Sequence, residues 1–154
     1  MKIFSFVLLF ILSVVSGYAE NTVKVLFSPD NNVTFSAYEA GGLLKYKISY
    51  KGKPVILESQ LGIDGWSRNL EIERIDSSFV NKTWHPVYGE RAVVEDCYKE
   101  YNYTLKIKGR GSRLALIVRA YNSGIGFRYK YLGSSYLRIS KEETTFVVPE
   151  NTYC

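Results

Sequence analysis

One histidine, two cysteines and one methionine are spread through 154 residues, and that scarcity excludes several chemistries at once. Ser-His-Asp hydrolysis would have to use His85, and no serine stands in a nucleophile-elbow setting. Cys97 and Cys154 have neither a nearby His nor a second Cys at metal-ligand spacing, which argues against a zinc site. Their spacing leaves a disulfide open without specifying one. No window of helical length carries an apolar stripe of period 3.6. Long apolar runs are missing too, apart from Ile3 to Val15, which follows Lys2 and precedes Ser16-Gly17-Tyr18-Ala19. A positive start, a short apolar core and small residues before a cut site predict an export signal over residues 1–19, cleaved after Ala19. The run falls short of the roughly 20 residues that a spanning helix needs. Glu20 and Asn21 stand where a bacterial lipoprotein would carry its cysteine. Residues 20–154 hold no second such run, so no membrane span is expected there.

Residues of strand type dominate what is present. Hydrophobic residues make up 46% of the chain and aromatics 15%, enough to bury a core and to set disorder aside. The net charge of +5 falls to +4 once Lys2 is removed with the signal. That excess is dispersed over Lys45, Lys47, Lys51, Lys53, Lys106, Lys108, Arg110 and Arg113, at alternating or turn positions. Dispersed charge of this kind reads as the solvated face of lysine-guarded sheets, and no nucleic-acid partner is expected.

Alternation of period two recurs along the chain. Val23, Val25 and Phe27 alternate with polar or mixed partners; Val33, Phe35 and Ala37 alternate with Thr34, Ser36 and Tyr38. Leu44, Tyr46, Ile48 and Tyr50 alternate with Lys45, Lys47 and Ser49, the pattern of a half-buried antiparallel strand. Ser28 to Asn32, Gly41-Gly42 and Lys51 to Pro54 are the turns. Further on, Tyr101 to Ile107, Leu114 to Arg119 and Ile125 to Tyr131 are three strands joined by short turns, an antiparallel meander. Leu114 to Arg119 is apolar enough to be covered on both faces. Tyr136 to Ile139 and Thr144 to Val148 are predicted as two more strands, and Ser59 to Ser67 and Phe79 to Arg91 as irregular loops. The fold class that follows is all-β, a sandwich of antiparallel strands.

The loop Trp84-His85-Pro86-Val87-Tyr88-Gly89-Glu90 is richest in site-like residues. Trp84 and Tyr88 are suited to stack on a sugar ring, and His85 and Glu90 to hydrogen-bond its hydroxyls. The plainer reading is a loop pinned by its aromatics. Gly124-Ile125-Gly126 precedes a strand where a phosphate cradle needs a helix, so Gly124 reads as a turn residue and Gly126 as a point of close packing. No pair of carboxylates is marked out as catalytic. Asn32, Asn81 and Asn102 each begin an Asn-x-Thr sequon, relevant only in a eukaryotic secretory pathway.

Several segments, in order, resemble the N-terminal domain of glycoside hydrolase family 97. They are Val25 to Asn31 with Val33-Thr34-Phe35, Tyr46 to Ile56, Ser59 to Ile63, and Trp84 to Glu90, which is similar to a Trp-x-Pro-x-aromatic-Gly-Glu loop. Tyr98-Lys99-Glu100, Ala120 to Tyr129 and Glu142 to Phe146 complete the set. The resemblance implies an incomplete β-super-sandwich of galactose-mutarotase-like type over residues 20–154. In such exported, mainly bacterial α-glucosidases and α-galactosidases, the catalytic carboxylates and most ligands of a calcium ion sit on a (β/α)₈ barrel. No catalytic or metal residue therefore carries over to this chain, and an α-linked oligosaccharide is expected to meet the missing barrel. The expected location is the periplasm or surface of a bacterium. Trp84 to Glu90 becomes the loop expected to approach the barrel or its substrate, and Phe127, Arg128 and Tyr129 become packing residues. Tyr88 departs from a common tryptophan, and Val147 to Cys154 departs from the family's course. The alternatives are a free-standing secreted carbohydrate-binding sandwich and a glycosylated secreted β protein.

Overall fold

The computed structural model describes residues 23–152, so the signal segment and Cys154 lie outside the described residues. Eight strands follow one another: β1 (Lys24–Phe27), β2 (Val33–Ala40), β3 (Leu43–Tyr50), β4 (Lys53–Leu61), β5 (Leu70–Trp84), β6 (Val94–Ile107), β7 (Arg113–Tyr121) and β8 (Gly124–Tyr131). They form two four-stranded antiparallel sheets, β1-β2-β3-β4 and β5-β6-β7-β8, each a meander in sequence order.

Turn chemistry sets the register of the first sheet. Gly41 and Gly42, at φ +60° and +76°, join Ala40 to its partner Leu43, and Lys51 and Gly52, at +49° and +76°, join Tyr50 to Lys53. Two-residue hairpin loops with positive φ at both positions match the right-handed twist of the strands they connect. The alternation then places Leu26, Phe35, Ala37, Leu44, Tyr46 and Leu61 on the inner face, all buried. From the second sheet Leu70, Tyr103, Leu105, Leu114, Leu116, Val118 and Ala120 meet them. Phe35 stacks on Tyr46 of the same sheet at 5.8 Å, and aromatic rings bridge the layers: Phe35 lies 6.5 Å from Tyr103 and Tyr46 lies 6.0 Å from Phe127. On the outer face of β7, Ala115 and Ile117 are buried as well, as the apolar composition of that strand predicts.

Several local expectations are corrected. In β1 the buried residue is Leu26, while Val23 and Phe27 of the expected apolar face are exposed. Pro54 lies within β4 opposite Ser49, not in the preceding turn; β4 is an end strand of its sheet, where a missing N–H is tolerated. Ser59 to Leu61 belong to β4 and Phe79 to Trp84 to β5, so two supposed loops are partly strand. Polar residues on both faces of β5 hide the alternation, because its far half is exposed on both sides. Tyr136 to Ile139 forms no strand, and Thr144 to Val148 forms no regular one. Instead, residues 141–147 strap the free edge of β4. Asp64 N donates to Lys141 O at 3.0 Å, Glu143 N to Gly62 O at 2.9 Å, Thr145 N to Gln60 O at 2.9 Å and Leu57 N to Val147 O at 2.8 Å. Last, Gly126 is not a close-packing point, since a Cβ there would meet nothing within 4 Å, and Arg128 is exposed rather than packed.

Tyr103 is wholly buried and its hydroxyl has no hydrogen-bond partner among the described residues. Burial pushes its phenol well above the ordinary tyrosine range and pushes Tyr129 up to about 12. A raised phenol pKa leaves stability intact below the unfolded value near 10 and erodes it as pH climbs from there toward the folded value. Each such tyrosine steepens that decline by about 1.4 kcal/mol per pH unit. Tyr103→Phe removes an unpaired polar atom and one of these groups. It is expected to stabilise the chain by about 1 kcal/mol at neutral pH and to flatten the loss above pH 10. Urea midpoints of both proteins between pH 7 and 11 test this; a lower midpoint for the phenylalanine variant at pH 7 contradicts it.

Candidate functional site

The loop singled out in the sequence caps the longest hairpin of the fold. β5 and β6 stay paired from Leu70 opposite Ile107 to Trp84 opposite Val94. β7 accompanies β6 only from Tyr98 to Lys106, so Asn81–Trp84 and Val94–Cys97 pair with each other alone. The end of the hairpin is thus an arm standing beyond the sheet. Its root is held on the inner side by Lys99, whose Nζ donates to Ser28 O at 3.3 Å and to Asn31 Oδ1 at 3.4 Å. The same β1–β2 turn is tied to the β7–β8 turn, Asp30 N donating to Asn122 Oδ1 at 3.0 Å.

Residues 85–93 close the arm. His85 Nδ1 lies 3.0 Å from Ala92 O and donates to it, so the exposed ring braces the base of the loop through one nitrogen. Gly89 has φ +134°, a conformation that L side chains rarely adopt, so the Tyr88-Gly89-Glu90 bend depends on glycine. Trp84 is 51% exposed, Val87 87% and Tyr88 91%, and Glu90 is exposed. The structure therefore places Trp84, His85, Tyr88 and Glu90 on one projecting tip but does not gather them around a cavity. What the tip offers is apolar and aromatic surface in the open, suited to contact with a larger surface.

The carboxylates give no sign of acid catalysis. Among the described residues no Asp or Glu is buried. Asp30, Glu58, Asp64, Glu73 and Glu143 are all held below the ordinary carboxylate range, chiefly by hydrogen bonds from Ser28, Tyr38, Ser140, Arg113 and Lys141. A general acid needs the opposite shift. Nor do three or more His, Cys, Asp or Glu side chains come together among the described residues, so these residues offer no ready calcium cage.

A cluster that residue types alone do not single out lies on the outer face of the second sheet. Arg119 Nε donates to Glu100 Oε2 at 2.6 Å while its Cζ sits 4.4 Å from the Tyr98 ring centre, and Tyr98 and Tyr121 lie 5.1 Å apart. The Glu100 hydrogen bond raises the Arg119 pKa above its ordinary value. Beside the cluster a groove of about 230 Å³ runs over Gly126 between Tyr121, Ile117 and Arg128. Alternation placed these residues on one face, but only the pairing of Glu100 with Arg119 and of Tyr98 with Tyr121 puts them side by side.

Residues 26–154 match the family described as Glycosyl-hydrolase 97 N-terminal. The chain belongs to that family. Among solved structures, a Glycoside Hydrolase Family 97 enzyme from Pseudoalteromonas sp. strain K8 in complex with panose is 29% identical, with a TM-score of 0.75. The complex with acarbose of an enzyme of the same family and strain matches with the same identity and score. Each match covers 82% of this chain and 20% of the other. A β-arabinopyranosidase, at 21% identity and a TM-score of 0.74 over 82% of this chain and 21% of its own, shares the fold. The chain thus spans about a fifth of the length of these enzymes. The matched range runs to residue 154 and so includes Val147 to Cys154. The sandwich accounts for the scaffold role of Phe127 and Tyr129, both packed against the inner core.

Proposed function

We propose that this chain is the non-catalytic N-terminal β-sandwich part of an exported α-glycosidase, and that the tip from Trp84 to Glu90 reaches toward the catalytic part or its saccharide. The observation that carries this is the family match over residues 26–154, combined with similarity to enzymes described in complex with panose and acarbose. The apolar start of the chain, Ile3 to Val15 with Ala19 as the cut site, supports export to the periplasm or surface of a bacterium. In this reading the sandwich supplies a rigid base and the arm supplies a contact, while general acid, general base and calcium belong to a barrel. The exposed downward-shifted carboxylates agree with that division of labour.

The purified chain is expected to release no p-nitrophenol from the α-glucoside or the α-galactoside; turnover of either by the chain alone would sink the proposal. A second reading, a carbohydrate-binding module, is favoured by the exposure of Trp84 and Tyr88. Isothermal titration with maltose and melibiose separates the two. A scaffold contact predicts no heat from wild type or Trp84→Ala, whereas a sugar platform predicts heat that Trp84→Ala abolishes.

A further inference from the structure

At the end of the β5–β6 hairpin opposite the arm, three segments far apart in sequence bring three arginines together. Arg68 precedes β5, Arg110 joins β6 to β7, and Arg138 follows β8. Two adjoining pockets of about 270 Å³ each open there. Arg110 and Gly65 line both; Arg138, Ser112 and Tyr131 line the first, and Arg68 and Asn69 the second. Bonds within the chain hold these walls. Trp66 N donates to Ile63 O at 2.7 Å, Lys108 N to Asn69 O at 2.9 Å and Leu132 N to Arg113 O at 3.2 Å. The Trp66 and Tyr131 rings meet edge-on at 6.5 Å, and Leu137, next to Arg138, packs against the core. Arg74, Arg113 and Arg119 each pair with a carboxylate, whereas Arg68, Arg110 and Arg138 form no ion pair among the described residues. Asp64 lines the first pocket as well, but its carboxylate already accepts from the Ser140 hydroxyl.

We propose that these pockets bind an anionic sugar residue, its sulfate ester or carboxylate held by Arg68, Arg110 and Arg138 and its ring set against Tyr131. The acidic group follows from charge. Three guanidiniums stand over two pockets whose single carboxylate is already bonded, and a recess lined by one sign of charge concentrates ions of the other. A guanidinium fork also matches a carboxylate or a sulfate with two parallel N–H bonds. The sugar rests on the reading of the chain as part of an α-glycosidase, together with the lining itself. Tyr131 offers a half-buried ring to the apolar face of a pyranose, and Ser112 and Asn69 can hydrogen-bond its hydroxyls. The 14 residues of β6 put this site roughly 40 Å from the Trp84 end of the hairpin. It therefore anchors an acidic stretch of a polysaccharide, away from the sugar that the tip approaches.

Isothermal titration of the 154-residue chain at low ionic strength tests this, with galactose 6-sulfate and methyl glucuronide as probes and galactose and sodium sulfate as controls. An acidic sugar is expected to bind at least about tenfold more tightly than either control. Arg110→Ala and Arg138→Ala alter exposed side chains, and each is expected to weaken binding about tenfold. Lys53→Ala, at the start of β4, removes the same charge far from the pockets and leaves binding unchanged. Near-ultraviolet circular dichroism confirms that each variant is folded. No heat from either acidic sugar, an affinity no higher than that of sodium sulfate, or binding indifferent to the combined Arg110→Ala and Arg138→Ala change overturns the proposal. Release of p-nitrophenol by the chain sinks the scaffold reading alone, so the two fail separately.

Discussion

Tyr46→Ala is expected to cost about 3–5 kcal/mol, a large part of the roughly 5–15 kcal/mol that holds a domain of this size together. Tyr46 is fully buried on β3 and sits where both sheets and the strap converge. Its ring stacks on Phe35, meets Phe127 of β8 edge-on at 6.0 Å and meets Phe146 of the strap at 6.3 Å. Its hydroxyl donates to Thr145 O at 2.9 Å. Alanine removes a ring that touches both sheets and the strap, and the neighbours cannot close the space without moving one sheet against the other. Tyr46→Phe keeps the ring and loses a single hydrogen bond, so it should cost only about 1 kcal/mol. Urea midpoints at unchanged slope measure both. Similar losses for the two variants would mean that the hydroxyl, not the ring, holds the seam.

Thr145→Pro is the second change with a large expected effect, a loss of about 2–3 kcal/mol together with a tendency to aggregate. Thr145 is bonded twice to the same residue: its N–H donates to Gln60 O, and its Oγ1 accepts from Gln60 N, each at 2.9 Å. Around it Val147 N donates to Ser59 Oγ at 2.9 Å, and the Tyr129 and Thr144 hydroxyls lie 3.0 Å apart. Proline deletes both bonds to Gln60 and releases the strap from an edge whose residues Val55 and Leu57 are exposed. Amide hydrogen exchange gives the local readout. Leu57 and Asp64, which donate to strap carbonyls, should lose protection in the variant, while Leu116 in the centre of β7 keeps it. Retained protection at Leu57 would show that the strap is held by its apolar contacts and not by the Gln60 bonds.

How far these features were legible beforehand depended on burial. Strands with one face in the core and one in water declare themselves through alternation, as β2, β3, β8 and the second half of β6, Tyr101 to Ile107, do. β7 was read through its apolar content, because Ala115 and Ile117 on its outer face are covered by neighbouring side chains. β5 was missed because Ser77 to Lys82 alternate nothing: the arm has no core on either side, so no periodicity is imposed on it. Thr144 to Val148 have strand composition, which predicts a strand, although only a discontinuous set of bonds to β4 forms. The tip residues Trp84, His85, Tyr88 and Glu90 were found from their types, yet nothing in the sequence told that they project together without a pocket.

Glycine-containing turns and apolar alternation determined, in the sequence itself, that this chain is an antiparallel sandwich, and ordered segments from Val25 to Phe146 pointed to its family. Both depend on short-range physics: turn geometry and which face of a strand meets water. Tertiary structure alone decided that β4 is strapped while β5, among the described residues, pairs on one side only, that Tyr46 joins three elements, and that the 84–90 loop stands at the end of an arm. Those outcomes depend on which distant strands happen to cover an edge, and no local pattern encodes the absence of a neighbour.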